Sequence, residues 1–243
     1  MELKGKVALV TGAGRRLGSA IALALAERGA TVAIHHHHST QGAEKVRADI
    51  LARGGTAERF AADLTDPHTA QDLPREVVER FGRLDVLVNS AAVMKRLAVE
   101  ETTPVEWDEI MNLNLRAYFF CVQGALPALR AARGKVVNLA DVGGLEPWPK
   151  YAAHCISKAG VIMLTKTLAR ALAPEVTVNA VAPGAALVPE SWDQASRDHL
   201  AQTTPLGRLG TPGDITAAIL YLLEGGDYVT GETIVVDGGR LIR

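Results

Sequence analysis

The chain has 243 residues, 48% of them hydrophobic, with 26 Lys plus Arg against 27 Asp plus Glu and a formal net charge of -1. That length suits one α/β domain with a large core, and the near-neutral balance argues against nucleic acid or an anionic membrane as the main partner. No long apolar span or signal-peptide pattern is visible, and Cys121 and Cys155 sit in apolar helical patterns that read as buried free thiols, so a cytoplasmic setting is expected.

The first strand, residues 7–10, runs into the turn Thr11-Gly12-Ala-Gly14-Arg-Arg-Leu-Gly18, and a helix is expected over 16–28. Strand, glycine turn and helix form a cradle for a nucleotide diphosphate. The glycines let the backbone approach a pyrophosphate, and the helix N-terminus offers unpaired N–H groups. The general dinucleotide fingerprint fails here, because Gly18 comes one residue late. Further strands are expected at 31–35, 56–61, 85–88, 135–139, 177–181 and 233–236. Further helices are expected at 40–53, 67–81, 104–130, 151–172 and 212–222. Pro67, Pro104 and Pro212 suit first-turn positions, and Gly29, Gly54 and Gly82 suit helix ends. Such alternation implies an α/β fold: a single doubly wound domain over residues 1–243, with about seven parallel strands and helices on both faces. Residues 183–212 read as one irregular stretch. It follows a strand end, so residues 184–211 are a candidate substrate lid.

Several motifs together resemble the short-chain dehydrogenase/reductase family from end to end. Thr11-Gly12 to Gly18 resembles its cofactor turn, and Asp63-Leu64 its adenine-contacting pair. Asn89-Ser-Ala91 stands where the family carries Asn-Asn-Ala-Gly. Asn114 matches its helix asparagine, Lys158 the lysine of Tyr-x-x-x-Lys, and Pro183-Gly184 its Pro-Gly. Val236-Asp-Gly-Gly239 matches its C-terminal signature. The family usually has glycine where this chain has Arg16. In that respect, and in Asp141 at the serine position, the chain is similar to pteridine reductases.

An NAD-selective domain places a carboxylate at the end of the second strand to hold the ribose 2′-OH. Here the segment is Ile34-His-His-His-His-Ser39, with none. Arg16, the histidines and the Ser39 hydroxyl could instead surround a 2′-phosphate, which makes NADP(H) the expected cofactor. The expected cofactor set is Gly12, Arg15, Arg16, Leu17, Gly18, His36, His37, His38, Ser39, Asp63, Leu64, Asn89, Ala91, Lys158, Pro183 and Gly184. A histidine tag is unexpected inside a strand-to-helix turn. A metal site is disfavoured because consecutive strand side chains point to opposite faces. Exposed turn histidines without a role are the remaining alternative.

The resemblance implies that a tyrosine protonates the substrate carbonyl, that the lysine four residues later lowers its pKa, and that the helix asparagine supports a water chain. In Tyr151-Ala-Ala-His-Cys-Ile-Ser-Lys158, however, that position holds His154. Tyr151 shares its helix face but lies about 4.5 Å along the axis. Imidazolium, with an ordinary pKa near 6.5, is a good proton donor. Lys158 disfavours it and Asp141 favours it. The expected catalytic residues are therefore Asn114, Asp141, His154 and Lys158, with His154 as donor or as a mere space-filler. The expected reaction is NADPH-dependent reduction of a carbonyl or pterin-like substrate. The alternative is an NADP(H)-binding protein with impaired or no catalysis, a sensor or scaffold. Pteridine reductases stack an aromatic ring on the pterin where Met94 stands here, which weakens the pterin reading and leaves a generic carbonyl or acyl-thioester substrate open. The resemblance also implies a homotetramer or homodimer.

Overall fold

β1 (Val7–Val10) is buried at every position, as a strand covered on both faces should be. The computed structural model describes residues 1–186, 188 and 192–242. β1 sits inside a seven-stranded sheet with β2 (Thr31–His36), β3 (Thr56–Ala61), β4 (Val86–Asn89), β5 (Lys135–Leu139), β6 (Thr177–Pro183) and β7 (Thr233–Val236). The strand order is β3-β2-β1-β4-β5-β6-β7, and every pairing is parallel.

The two-residue strand period divides the core. Ala8, Val10, Val32, Ile34 and Val88 pack on one face with Ile21, Leu25, Val46 and Ile219. These last come from α1 (Arg16–Glu27), α2 (Thr40–Ala52) and α8 (Pro212–Leu220). Leu9, Ala33, Leu87, Val136 and Val178 pack on the other face with Leu73, Cys121, Leu129 and Leu168. Those come from α3 (Pro67–Phe81), α5 (Ala117–Ala132) and α6 (Ala152–Leu172). Chain order reverses between β1 and β4, which opens a crevice at their carboxyl ends.

Helix punctuation follows the sequence. Pro67, Pro104 and Pro212 each open a helix, and Gly29, Gly54 and Gly82 each take a positive φ behind one.

Four expectations need correction. The helix expected over 104–130 is α4 (Pro104–Met111), a wide π turn (Asn112–Arg116) and α5. The π turn leaves Asn114 fully buried, its amide pinned to the loop after β4. The helix expected over 212–222 likewise ends at Leu220 and runs into a π turn, Tyr221–Gly225. The stretch 183–212 is not uniformly irregular. It contains α7 (Gln194–Gln202), capped by the Asp193 carboxylate accepting from the Ser196 amide at 2.8 Å. No α7 residue is buried, so it lacks the apolar stripe that marks a helix in sequence. Residues 187 and 189–191 of the expected lid lie outside the described residues. Finally, Cys121 is buried but Cys155, in the first turn of α6, is only half-buried.

Candidate cofactor and active site

At the carboxyl end of β1 the chain turns through Gly12, whose φ is +67°. A Cβ there would stand 2.8 Å from the Ala91 Cα, so the close approach of the β1 and β4 loops requires glycine. Thr11 closes the same junction. Its hydroxyl oxygen accepts from the Ser90 and Ala91 amides at 2.8 and 3.1 Å. Gly18 is required as well, because a Cβ on it would lie 2.3 Å from the Gly12 carbonyl oxygen. Gly18, one residue late against the general fingerprint, thus serves the packing role of the fingerprint's last glycine.

Arg15 precedes α1 in extended conformation, and no side chain caps the helix. The first-turn amides therefore face the crevice as an anion-binding end. Arg16 has φ +52°. That left-handed conformation costs a non-glycine residue roughly 1–2 kcal/mol, and it gives a physical reason for the glycine that the family places there.

His35 holds the turn from the side. Its Nδ1 accepts from the Gly12 amide at 3.0 Å, and its Nε2 donates to the Ala62 carbonyl at 3.1 Å. Both ring nitrogens are committed, so the ring is neutral. Burial pushes its pKa down to about 4, against the Ala62 bond, which acts upward. The folded pKa lies below the unfolded one. The stabilisation is therefore complete above pH 6.5 and is lost as pH falls toward 4, by on the order of 3 kcal/mol in full. Denaturant midpoints followed from pH 7 down to 4 should show this loss. A His35→Gln variant should start less stable and lose less. Equal losses in both proteins would refute the assignment.

The crevice is a cleft of about 580 Å³. It gathers seventeen of the nineteen residues expected at the site: Gly12, Arg15, Arg16, Leu17, Gly18, His36, His37, His38, Ser39, Asp63, Leu64, Ala91, Asp141, His154, Lys158, Pro183 and Gly184. The other two stand behind it. Asn89 donates from its side-chain amide to the Asn138 Oδ1 at 2.9 Å, and Asn138 donates in turn to the Thr165 hydroxyl at 3.0 Å. Asn114 Oδ1 accepts from the Val93 amide at 2.8 Å. Its Nδ2 donates to the Val93 carbonyl and to the Ser157 hydroxyl, at 2.9 and 3.1 Å. It fixes the β4 loop against α6.

Elsewhere in the cleft, α6 presents His154 and Lys158 four residues apart, one turn along the helix. Lys158 is 3% exposed. Its Nζ donates to the Leu139 carbonyl at 2.6 Å and lies 3.5 Å from the Tyr118 hydroxyl. Burial pushes its pKa down to about 8, although the Asp141 carboxylate pulls it up. Asp141 closes the turn after β5 by accepting from the Gly143 amide at 2.7 Å. Its Oδ1 stands 3.9 Å from His154 Nε2. His154 is buried, its ring parallel to the Trp148 indole with centroids 6.2 Å apart. Neither ring nitrogen makes a hydrogen bond within the protein. Tyr151 does not line the cleft. Its backbone bridges to Leu97 instead.

Sequence reasoning missed Tyr118 and Trp148, whose rings come in from α5 and the β5–α6 loop, and it named Thr11 and the histidine segment without the backbone contacts that Thr11 and His35 make. Nothing in the local sequence marks such long-range contacts.

Comparison with known proteins agrees with this geometry. Residues 12–240 match the family profile described as enoyl-(acyl carrier protein) reductase. The 3-oxoacyl-(acyl-carrier-protein) reductase FabG of Staphylococcus aureus is 40% identical over 240 residues, covering 96% of this chain and 97% of the relative. The solved structure of the angucycline C-6 ketoreductase LanV with bound NADP is 34% identical, covers 100% of this chain and 98% of its own, and has a TM-score of 0.92. A short-chain dehydrogenase/reductase from Serratia marcescens is 32% identical, with 99% of each chain covered and a TM-score of 0.92. Glycine turn, sheet order, cleft and full-length matches coincide, and the chain belongs to the short-chain dehydrogenase/reductase family.

Proposed function

We propose that the protein is an NADPH-dependent reductase of a carbonyl compound, with a 3-oxoacyl thioester as the favoured substrate class and His154 as the proton donor. One observation carries the reading. A buried imidazole with no hydrogen bond to the protein stands 3.9 Å from a carboxylate and one helical turn from a buried lysine, at the end of a nucleotide cleft. A buried polar group without a partner costs about 1–3 kcal/mol, which a substrate oxygen placed there would relieve.

The residues present fit NADP(H). Gly12 and Gly18 form a cradle that a Cβ would fill, the α1 N-terminus is uncapped, and Arg15, Arg16 and the β2-end histidines line the far side. When bound, the cofactor supplies a hydride. The chain's own residues manage the rest. Lys158 would offer N–H groups to a sugar hydroxyl, the Asp141 carboxylate stands 3.9 Å from His154 Nε2, and His154 would deliver a proton to the developing alkoxide. Asn114 holds the loop that carries Met94 in place.

The names of the relatives, a 3-oxoacyl-(acyl-carrier-protein) reductase and a C-6 ketoreductase, support an oxoacyl or ketone carbonyl over a pterin. Met94 lines the cleft, half exposed, and offers a flat pterin ring no aromatic stacking. Gly184 and Ala186, at the start of the expected lid, line the cleft. No described helix is long and apolar enough to cross a membrane. A cytoplasmic homotetramer or homodimer suits the exposed Phe119, Ile156 and Met163 on α5 and α6.

The test is incubation with NADPH and a 3-oxoacyl thioester. Loss of reduced-nicotinamide absorbance with equimolar 3-hydroxyacyl product is expected. NADPH binding without turnover on thioesters, ketones or pterins would overturn the reading in favour of a sensor or scaffold.

A further inference from the structure

We infer that Trp148 is a positioning residue for His154: its indole fixes the plane of the imidazole and its placement beside Asp141, and turnover depends on the indole through His154 alone. The inference rests on the donor reading above and adds the group that aims the donor.

The χ2 torsion of histidine is broad and roughly two-fold, so an imidazole swings unless something outside its own bonds holds it. Hydrogen bonds commonly do so, and here neither ring nitrogen makes one within the protein. The Asp141 Oδ1 stands 3.9 Å from Nε2, beyond hydrogen-bond reach, so the carboxylate does not fix the direction of the ring. Packing is left to set it. His154 is buried, and the Trp148 indole lies within 6° of its plane with centroids 6.2 Å apart, the spacing of an offset stack.

The indole is itself firmly held. Pro147 and Pro149 flank it in the chain. Proline locks its own φ and confines the residue before it to extended backbone, so this loop keeps little freedom. The Trp148 carbonyl accepts from the Tyr151 amide at 2.9 Å, where α6 begins. Its Nε1 donates to Glu146 Oε1 at 3.1 Å. The Tyr151 ring meets the indole edge-on, at 75° with centroids 6.0 Å apart.

The same ring touches the turn that carries Asp141. A Cβ on Gly143 would lie 3.0 Å from Trp148 Cε3 and Cζ3 and 3.1 Å from Asp141 Oδ1. Glycine therefore lets the indole and the carboxylate close on one small space, and its amide donates to that carboxylate at 2.7 Å. One indole thus braces the Asp141 turn with one part and the imidazole with another. Trp148 does not line the cleft, so its effect on a substrate passes through His154.

The experiment compares Trp148→Leu and Trp148→Phe, each alone and combined with His154→Phe, in steady-state reduction of acetoacetyl-CoA by NADPH with the full-length protein. Trp148→Leu keeps apolar bulk and loses the flat face. It should lower kcat by roughly 10- to 100-fold, the scale of a misplaced catalytic group, with the Kd for NADPH changed less than about twofold. Trp148→Phe restores a flat ring and should recover most of kcat. In the His154→Phe background, Trp148→Leu should cost less than about twofold more, because the residue it acts through is gone. Where Trp148→Leu does not fold, Trp148→Met carries the same prediction, since its flexible side chain fills irregular space. Equal losses in both backgrounds would overturn the inference and mark Trp148 as a packing residue of its loop. Unchanged kcat in Trp148→Leu, or a Trp148→Phe variant as slow as Trp148→Leu, would overturn it too. No turnover by the wild-type protein, or wild-type turnover kept in His154→Phe, would instead overturn the donor reading and the inference with it.

Discussion

Replacing His154 by phenylalanine is expected to lower kcat for carbonyl reduction by roughly 10²–10⁴-fold, the range of general acid catalysis, while changing the Kd for NADPH little. The ring is buried against Trp148, and phenylalanine keeps its shape and that contact, so the fold should survive. The variant removes the only group of the Asp141–His154–Lys158 cluster that has no hydrogen bond of its own within the protein. The pH profile separates this role from a space-filling one. A proton donor at His154 gives the wild-type pH profile a limb that His154→Phe lacks, apart from the change that Lys158, with its pKa near 8, contributes. The limb that disappears in His154→Phe and survives in a Lys158 variant belongs to the histidine. Unchanged turnover in His154→Phe would eliminate His154 as donor. A gain of activity in His154→Tyr alone would mean that the native site is an impaired one.

Much of this site was legible because it is built from local patterns. The turn at Gly12–Gly18, the carboxylate-free end of β2 and the His154-to-Lys158 spacing are each set by a few consecutive residues. They reach one cleft because βαβ connections place every strand's carboxyl end on the same side. The strands were legible for a similar reason, since parallel strands covered on both faces read as short, nearly continuous apolar runs. What sequence hid was of another kind. The π turn at Asn112–Arg116 depends on Asn114 reaching Val93 and Ser157, contacts that cross 21 and 43 residues. Arg16's positive φ is dictated by the turn rather than by arginine. His35 looked like its three neighbours, yet its place inside the strand gives it two backbone partners and takes it out of ligand binding. α7 lies on the surface with a polar composition, and its one strong signal, the Asp193 cap, is brief.

Lys158→Met should separate stability from function in opposite directions. In the wild-type fold the ammonium is 3% exposed, and burial pulls its pKa from the ordinary 10.5 to about 8. At pH 7 the protein therefore holds a charge that folding disfavours by about 3 kcal/mol relative to water. Methionine has a similar length and no charge, so it removes that cost. It also leaves the Leu139 carbonyl without its 2.6 Å donor, a loss of about 1–2 kcal/mol. The net expectation is a gain of about 1–2 kcal/mol at neutral pH, or roughly 2–8 °C in Tm for a chain of this size. The gain should be tied to pH. The folded pKa is the lower one, so the wild-type protein becomes more stable as pH rises from about 8 to 10.5, and the advantage of Lys158→Met should shrink across that window. Turnover should move the other way, falling by at least about 10²-fold as the cleft loses its buried cation and the donor it offers a sugar hydroxyl. Thermal melts at pH 7 and 10 together with initial rates test both halves. A variant that is less stable at pH 7, or one that keeps wild-type turnover, would show that Lys158 is a structural residue of the β5–α6 junction rather than a strained, functional one.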